Sequence, residues 1–404
     1  MNKKVLALLG FGHAITDIIQ GGLTMMLAFL QPVLTLSQLQ VGMVMLAFNL
    51  SSSIIQPAFG VFSDRFRAAW LIPGGCLLAG VGMSLTGFTP NYPLLLLAAL
   101  LAGLGVAAYH PEGSKYARCA SGPRKASGMA IFSVGGNFGF AIGPILATLF
   151  LSVAGREGTL GFLVINGTMS LLLWFYLPTI TQTQTTAPLP PPKMTRETPR
   201  SGAQGLSQGQ IIGAVIMLVL VIIMRTWTHF GIVTFLPQYS MHHLQHSQGY
   251  AAGMTSIFLL FGAFGTIVGG PAADRWGLKT VIVASMAVMV PLLYLFPYTS
   301  GLASMVLIAL SGFALISTFA ITVVLGQELL PNNVGLASGL TLGFGIGAGG
   351  IGATLLGWFA DRWGLPSIFH IMIIFVVAGL ILSLFLPGKE RLLATRTEGS
   401  QHRC

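Results

Sequence analysis

The chain reads as an all-α membrane protein with twelve transmembrane helices in two six-helix pseudo-repeats. Three observations carry that reading. Hydrophobic residues make up 54% of the chain and charged residues only 7%, with a mean hydropathy of +0.81; a soluble globular protein carries roughly 25% charged residues. The apolar residues gather into runs of roughly 20, each long enough to cross about 30 Å of hydrocarbon. A polar stretch then cuts the 404 residues almost in half, and the two halves look like versions of one another.

Taken in order, the first half offers spans at Val5–Leu30, Gln38–Phe62, Trp70–Phe88, Pro93–Tyr116, Ser127–Ser152 and Thr159–Leu177. The second offers Gln210–Leu236, Tyr250–Ala272, Thr280–Tyr298, Leu302–Leu329, Leu336–Phe359 and Ser367–Leu386. Between them, from Thr179 to Gly209, run Thr and Gln residues, then Pro188, Pro190, Pro191 and Pro192, then Lys193, Arg196 and Arg200. That composition has too little apolar surface to offset the entropy of ordering it, so it reads as an extended linker. The expected organisation is a first half at 1–178, a linker at 179–209, a second half at 210–387 and a tail at 388–404.

Charge gives the orientation. With the amino terminus in the cytoplasm, 17 of the 20 Lys and Arg residues fall in cytoplasmic segments; Arg156 and Arg362 fall outside and Arg225 lies within a span. This positive-inside bias accounts for the net charge of +10 without nucleic acid, and an even number of spans puts both termini in the cytoplasm. Cys76, Cys119 and Cys404 show no disulfide or metal-ligand spacing. The run after Lys3 and Lys4 is too long for a signal peptide, so no cleaved leader is expected.

The halves repeat specific residues. Gly60-Val-Phe-Ser-Asp64-Arg65 ends the second span and Gly270-Pro-Ala-Ala-Asp274-Arg275 the eighth, with the aspartates 210 residues apart. Ser127-Gly128 and Ser338-Gly339 open the fifth and eleventh spans at an offset of 211. A third copy, Gly357-Trp-Phe-Ala-Asp361-Arg362, falls on the outer side. Two readings of the loops stand: a latch in which Gly60 or Gly270 allows close approach and Asp64 or Asp274 pairs with Arg or caps a helix, or ordinary polar loops that set topology. Paired six-helix halves are a transporter plan, with the ligand site between them.

Several spans hold groups that lipid tolerates poorly. In the first, His13, Asp17, Gln20 and Thr24 recur at i, i+4, i+7 and i+11, one stripe on a helix. Asp17 lies about 18 Å along the helix from Val5, where an ionised side chain costs roughly 2.5–3.5 kcal/mol. The stripe serves an ion pathway, or a buried His13–Asp17 hydrogen bond holds the bundle together. The second span has Asn49, Ser52, Ser53 and Gln56 before Pro57, as cavity lining or helix glue. The fourth ends in Tyr109-His110-Pro111-Glu112-Gly-Ser114-Lys115; Pro111 favours a kink, and Glu112 serves protons or is neutralised by Lys115 at i+3. Gly135-Gly136-Asn137-Phe-Gly139 and Gly143-Pro144 mark the fifth.

Within the seventh span, Arg225-Thr-Trp227-Thr-His229 places Arg225 about 21 Å from Ile211, past the midplane. It neutralises an acid such as Asp17 or offers a bidentate donor to an anion. Gln327 and Glu328 precede Pro331, with a substrate or capping role, and His242, His243 and His246 cluster in an outer loop.

The Gly-x-x-x-Asp-Arg loops resemble those of the major facilitator superfamily across the whole chain. The first copy departs from that pattern at Arg67, Ala68 and Ala69. The helix-5 glycines partly resemble its antiporter motif. His13-x-x-x-Asp17-Ile-Ile-Gln20, Ser52-x-x-x-Gln56-Pro57, Tyr109-His110-Pro111-Glu112, Gly135-Gly136-Asn137-Phe-Gly139 and Gln327-Glu328-Leu-Leu-Pro331 together resemble the fosmidomycin resistance group. That resemblance implies export of a hydroxamate bearing a phosphonate, driven by protons.

The expectation is a proton-coupled efflux carrier of the bacterial inner membrane, working as a monomer on an anionic small molecule, with no cofactor, metal or nucleic acid. Asp17, His13 and Glu112 are the expected proton groups. Gln20, Asn49, Gln56, Tyr109, His110, Asn137, Arg225, Trp227, His229 and Gln327 are the expected substrate contacts, and Gly60, Asp64, Arg65, Gly270, Asp274 and Arg275 the gate. An importer of an organic anion or sugar is the alternative. An intramembrane hydrolase is a rival of another class, but no nucleophile elbow or His-Glu-x-x-His occurs.

Overall fold

The computed structural model describes residues 1–66, 68–122, 124–185, 208–330 and 334–388, and all regular structure among them is helical. The helices are α1 (Lys3–Val33), α2 (Gln38–Asn49), α3 (Gln56–Phe66), α4 (Leu71–Thr86), α5 (Tyr92–Ala120), α6 (Lys125–Ala154), α7 (Leu160–Phe175) and α8 (Leu177–Thr185). They continue as α9 (Gln208–Gln238), α10 (Gln248–Trp276), α11 (Leu278–Leu295), α12 (Gly301–Ser317), α13 (Phe319–Leu329), α14 (Val334–Trp363) and α15 (Ser367–Leu384). Among the described residues nine stretches are long and apolar enough to span a bilayer; one of them, Gly128–Phe175, runs over both α6 and α7, and α4 is apolar but shorter. This order is consistent with the twelve expected spans.

Local chemistry explains the interruptions. Between α2 and α3 the chain makes a π-helical turn at Leu50–Ile54. Ser51 and Ser52 turn their hydroxyls onto the carbonyls of Phe48 and Asn49, and Pro57 has no N–H to offer the helix. The polar segment after the first half begins later than its composition predicts, because Thr179–Thr185 is helical. There Ile180 is buried, and Thr181 and Thr183 satisfy their hydroxyls on the carbonyls of Pro178 and Ile180. The proline run and the basic tail lie outside the described residues.

Two compact units form. The first comprises α1–α8 together with Val233–Leu259 and Ala353–Leu365; the second comprises α9 as far as Ile232, Leu260–Gly352, and α15. Within the first unit, α1 and α6 meet along a seam of small residues. A Cβ at Gly135, Gly139 or Gly143 would strike the carbonyl oxygens of Gly10, Ala14 and Ile18, and one at Gly21 that of Phe140. Backbone-to-backbone contact of this kind holds membrane helices together where no hydrophobic force separates protein from lipid.

The helix ends are finished by specific partners. The Asn2 side chain accepts from Val5 N–H, while the Asn2 amide donates 2.7 Å to the Ala120 carbonyl, tying α1 to the end of α5. Arg156, one of the two basic residues expected outside, donates to the carbonyls of Gly87 at 2.9 Å and Thr89 at 2.6 Å. It thereby satisfies the α4–α5 loop.

Candidate functional site

The α1 stripe and the stretch of α5 around Pro111 bring three ionisable groups together inside the first unit. Asp17 Oδ2 lies 3.2 Å from His13 Nε2, and Asp17 Oδ1 lies 2.8 Å from His110 Nε2. Asp17 is buried and both rings are largely buried. The His13 ring stacks on Phe132, centroids 4.1 Å apart, and meets His110 edge-on at 4.9 Å.

Each ring is oriented through its second nitrogen. Phe132 carbonyl oxygen is an acceptor only, so at 2.8 Å it requires His13 Nδ1 to carry a hydrogen. On the other side Gln56 Nε2 donates to Ser52 carbonyl at 2.6 Å and sits 3.2 Å from His110 Nδ1. His110 Nδ1 therefore accepts, and its Nε2–H donates to Asp17 Oδ1. These assignments leave His13 Nε2 and Asp17 Oδ2 facing each other with no hydrogen between them. One added proton completes that contact and cancels the net charge of the cluster. Three ligand-type atoms lie within 4.8 Å of one another, but the commitment of His110 Nε2 to donation favours a proton over a cation cage.

Gly136 makes the room. A Cβ there would lie 2.5 Å from His13 Nε2 and 2.8 Å from Asp17 Oδ2. The carboxylate and the imidazole occupy the space a side chain on α6 would fill.

The remaining first-unit candidates take different places. Glu112 is buried and pairs with Lys115 Nζ at 3.2 Å. Tyr109 is fully buried and donates to Leu9 carbonyl at 2.7 Å. Asn49 is also fully buried, with neither side-chain atom hydrogen-bonded. Gln20 is half-buried and Asn137 exposed. The side chains of Gly60, Asp64 and Arg65 lie outside the described residues.

In the second unit Arg225 is 4% exposed, and its guanidinium lies over the Phe319 ring, 4.9 Å from the centroid. Among the described residues it has no ion-pair partner, and its Nε is buried without a hydrogen bond. Asp17, one of its two expected partners, has both oxygens on the histidines of its own unit. Trp227 packs edge-on to Phe375 at 5.1 Å, its ring against Gly352, with its Nε1 also buried and unpaired. His229 lies edge-on to Phe230, and Gln327 is half-buried. A buried guanidinium whose Nε lacks an acceptor, on the same helix as an unpaired indole N–H, is chemically suited to a planar or tetrahedral oxyanion.

Near the other end of α10, Asp274 and Arg275 are exposed. The glycines of α10 that touch a neighbour closely are Gly262, against the Ile316 side chain, and Gly265 and Gly269, against the Phe313 and Ser317 carbonyls, whereas a Cβ at Gly270 would meet nothing within 4 Å. Sequence reasoning missed Phe132, which left no signal, and Thr234 and Gln238. The last two are fully buried with unpaired polar atoms and follow Trp227 at i+7 and i+11, a spacing that would have found them.

Comparison with known proteins agrees with this architecture. The family model of the Major Facilitator Superfamily matches residues 9–344 and 218–402. The chain is 32% identical over 386 residues to the fosmidomycin resistance protein of Escherichia coli strain K12, covering 96% of this chain and 93% of that one. It is 31% identical to the uncharacterized MFS-type transporter YfnC of Bacillus subtilis strain 168, over 96% and 94% of the two chains. Its fold is similar to that of a bacterial homolog of the human lysosomal transporter Spinster, with a TM-score of 0.73 at 17% identity, covering 100% of this chain and 98% of that one. The chain thus belongs to the Major Facilitator Superfamily, a family of multi-pass membrane transporters.

Proposed function

We propose that this transporter exports fosmidomycin-like anionic drugs from the bacterial cytoplasm in exchange for protons, by alternating access. The observation that carries the reading is the His13–Asp17–His110 cluster, whose hydrogen bonds leave one contact waiting for one proton. Arg225 supplies the complementary feature, a buried cation with no carboxylate partner among the described residues. That cation and the similarity to the fosmidomycin resistance protein of Escherichia coli support this choice of substrate class.

In the cycle Asp17 and His13 take a proton while open outward and release it inward. A proton entering down 100 mV supplies about 2.3 kcal/mol. An anionic drug leaving a negative interior is already helped by the potential, so the pH gradient is the part of the drive that the cluster must read. Glu112 is a secondary proton group, since Lys115 already neutralises it. Asp274 and Arg275, exposed at the end of α10, serve as the cytoplasmic latch.

The test is labelled fosmidomycin in inside-out vesicles. An imposed gradient, acid inside, drives accumulation in the lumen if the protein exports against protons. Accumulation only in right-side-out vesicles, or none responsive to pH in either, sinks the reading; the first result indicates an importer of organic anions instead.

A glycine gives a second check on the same cluster. Gly136→Val pushes a side chain into the 2.5 Å space beside His13, an overpacking that costs about 1–3 kcal/mol. Gradient-driven accumulation is expected to fall about tenfold or more, while the yield of inserted protein stays close to wild type.

A further inference from the structure

The third copy of the Gly-x-x-x-Asp-Arg signature is not used by the reading above, and the structure gives it a partner. Asp361, at the end of α14, places Oδ1 2.6 Å from Gln38 N and Oδ2 2.8 Å from Leu39 N. Both amides belong to the first turn of α2, whose opening N–H groups have no partner inside the helix. The α2 cap itself accounts for only the next one. Ser37 Oγ accepts from Gln40 N at 3.1 Å while Gln40 Oε1 accepts from Ser37 N at 2.9 Å, a reciprocal capping box. Val41 N then donates to the Ser37 carbonyl. The start of α2 is therefore complete only with a carboxylate from α14, 322 to 323 residues further along the chain.

The backbones fit one another at the same place. A Cβ at Gly357 would strike the Gln38 carbonyl, and one at Gly42 would strike the Ala353 carbonyl. Close approach over a full turn on each helix lets the carboxylate reach both amides at once. The negative charge also sits at the positive end of the α2 dipole. Arg362 turns away and lies over the Trp358 ring at 4.0 Å, which leaves Asp361 to the amides. A second tie lies in the same unit: His242 Nε2 donates to the Ala28 carbonyl at 2.8 Å.

Position gives the contact its meaning. The amino end of α1 is tied to Ala120, and α1 then runs 31 residues before the turn that leads into α2. The Asp361 contact therefore lies on the face opposite the amino terminus. Helix α14 changes unit at Gly352 and Ala353, so its last turns are fastened to α2 while its earlier part belongs elsewhere.

We propose that Asp361 is the gating residue of that face: it fastens the Ala353–Leu365 end of α14 to the start of α2, and the fastening is released each time the carrier opens there. Asp361 is a positioning residue, acting on substrate passage through α2 rather than by touching substrate. The proposal needs only that the chain is an alternating-access carrier; it holds or fails independently of the drug and the proton.

The test is the separation of α2 and α14 in the full-length protein in lipid, read by double electron–electron resonance. Spin labels go on Met43→Cys and Trp363→Cys, both exposed positions, with Cys76→Ala, Cys119→Ser and Cys404→Ser. No drug or pH gradient is present. Asp361→Ala is expected to lower the ratio of short to long separations about tenfold, as loss of two charge-assisted bonds requires. Asp361→Asn keeps one acceptor oxygen and should give a smaller shift in the same direction. Gly357→Val leaves the carboxylate intact but blocks the approach, and should match Asp361→Ala. Distance distributions that stay unchanged in Asp361→Asn and Asp361→Ala overturn the proposal, including when transport is lost, because the residue would then act elsewhere. Failure of drug accumulation with these shifts present strikes only the function proposed above.

Discussion

Asp17→Asn is expected to abolish the response of drug movement to a pH gradient while leaving drug exchange intact. The hydrogen bonds around Asp17 make the substitution informative. His110 Nε2–H needs an acceptor, which the new amide oxygen supplies. His13 Nε2 carries no hydrogen of its own when Nδ1 donates to Phe132, and the new amide N–H donates to it. The variant thus satisfies both rings without a proton, and copies the protonated cluster in shape and charge. It should insert, fold and exchange labelled for unlabelled drug across vesicles. The wild type, given a gradient of one pH unit, can concentrate drug by up to about tenfold for each proton exchanged. The variant should give a ratio near one under the same gradient. Uphill accumulation by the variant would show that Asp17 does not carry the proton and would bring forward Glu112, whose present contact with Lys115 would have to break during the cycle.

Much of this cluster could be read before the structure, and the reasons for the remainder are physical. His13 and Asp17 are visible because a four-residue spacing puts them on one helical face, and because a charge near mid-membrane is too costly to lie against lipid. The Glu112–Lys115 pair is visible for the same reason of spacing. From sequence alone, His110 reads as a substrate contact. A proline one residue later says that the helix bends, but not towards which neighbour, and the ring turns to Asp17. Gln56 likewise reads as cavity lining, whereas its amide sets the His110 tautomer.

Partners made of backbone leave almost no mark. Nothing in the composition near Phe132 announces that its carbonyl holds His13. The outer Asp361 was visible as a repeated signature, but its partners are amides, which every residue except proline carries. The twelve-span pattern was easier to read because it rests on long apolar runs. The linker boundary was harder, since Thr179–Thr185 is polar in composition yet satisfies its hydroxyls within its own helix.

The other large effect is expected at Arg225. Its guanidinium is buried over Phe319 and makes no ion pair among the described residues, so an anion that reaches it meets a cation already stripped of water. Charge-assisted bonds of this kind contribute about 1.5–3 kcal/mol, and the planar fork can give two in parallel to a phosphonate. Arg225→Lys retains the charge but loses the fork and the flat face that lies on Phe319. Affinity of the purified protein for fosmidomycin, measured by calorimetry, should fall roughly 10- to 100-fold in Arg225→Lys, and at least as far in Arg225→Ala. Trp227→Phe removes only the unpaired Nε1–H and keeps a ring facing Phe375. It should cost about 0.5–1.5 kcal/mol, the worth of one neutral hydrogen bond. A neutral analogue lacking the phosphonate provides the control, since its weak binding should not distinguish wild type from Arg225→Lys. Equal fosmidomycin affinity in wild type, Arg225→Lys and Arg225→Ala would remove Arg225 from the substrate site. A loss that is equal for charged and neutral analogues would show instead that the substitution disturbs packing against Phe319.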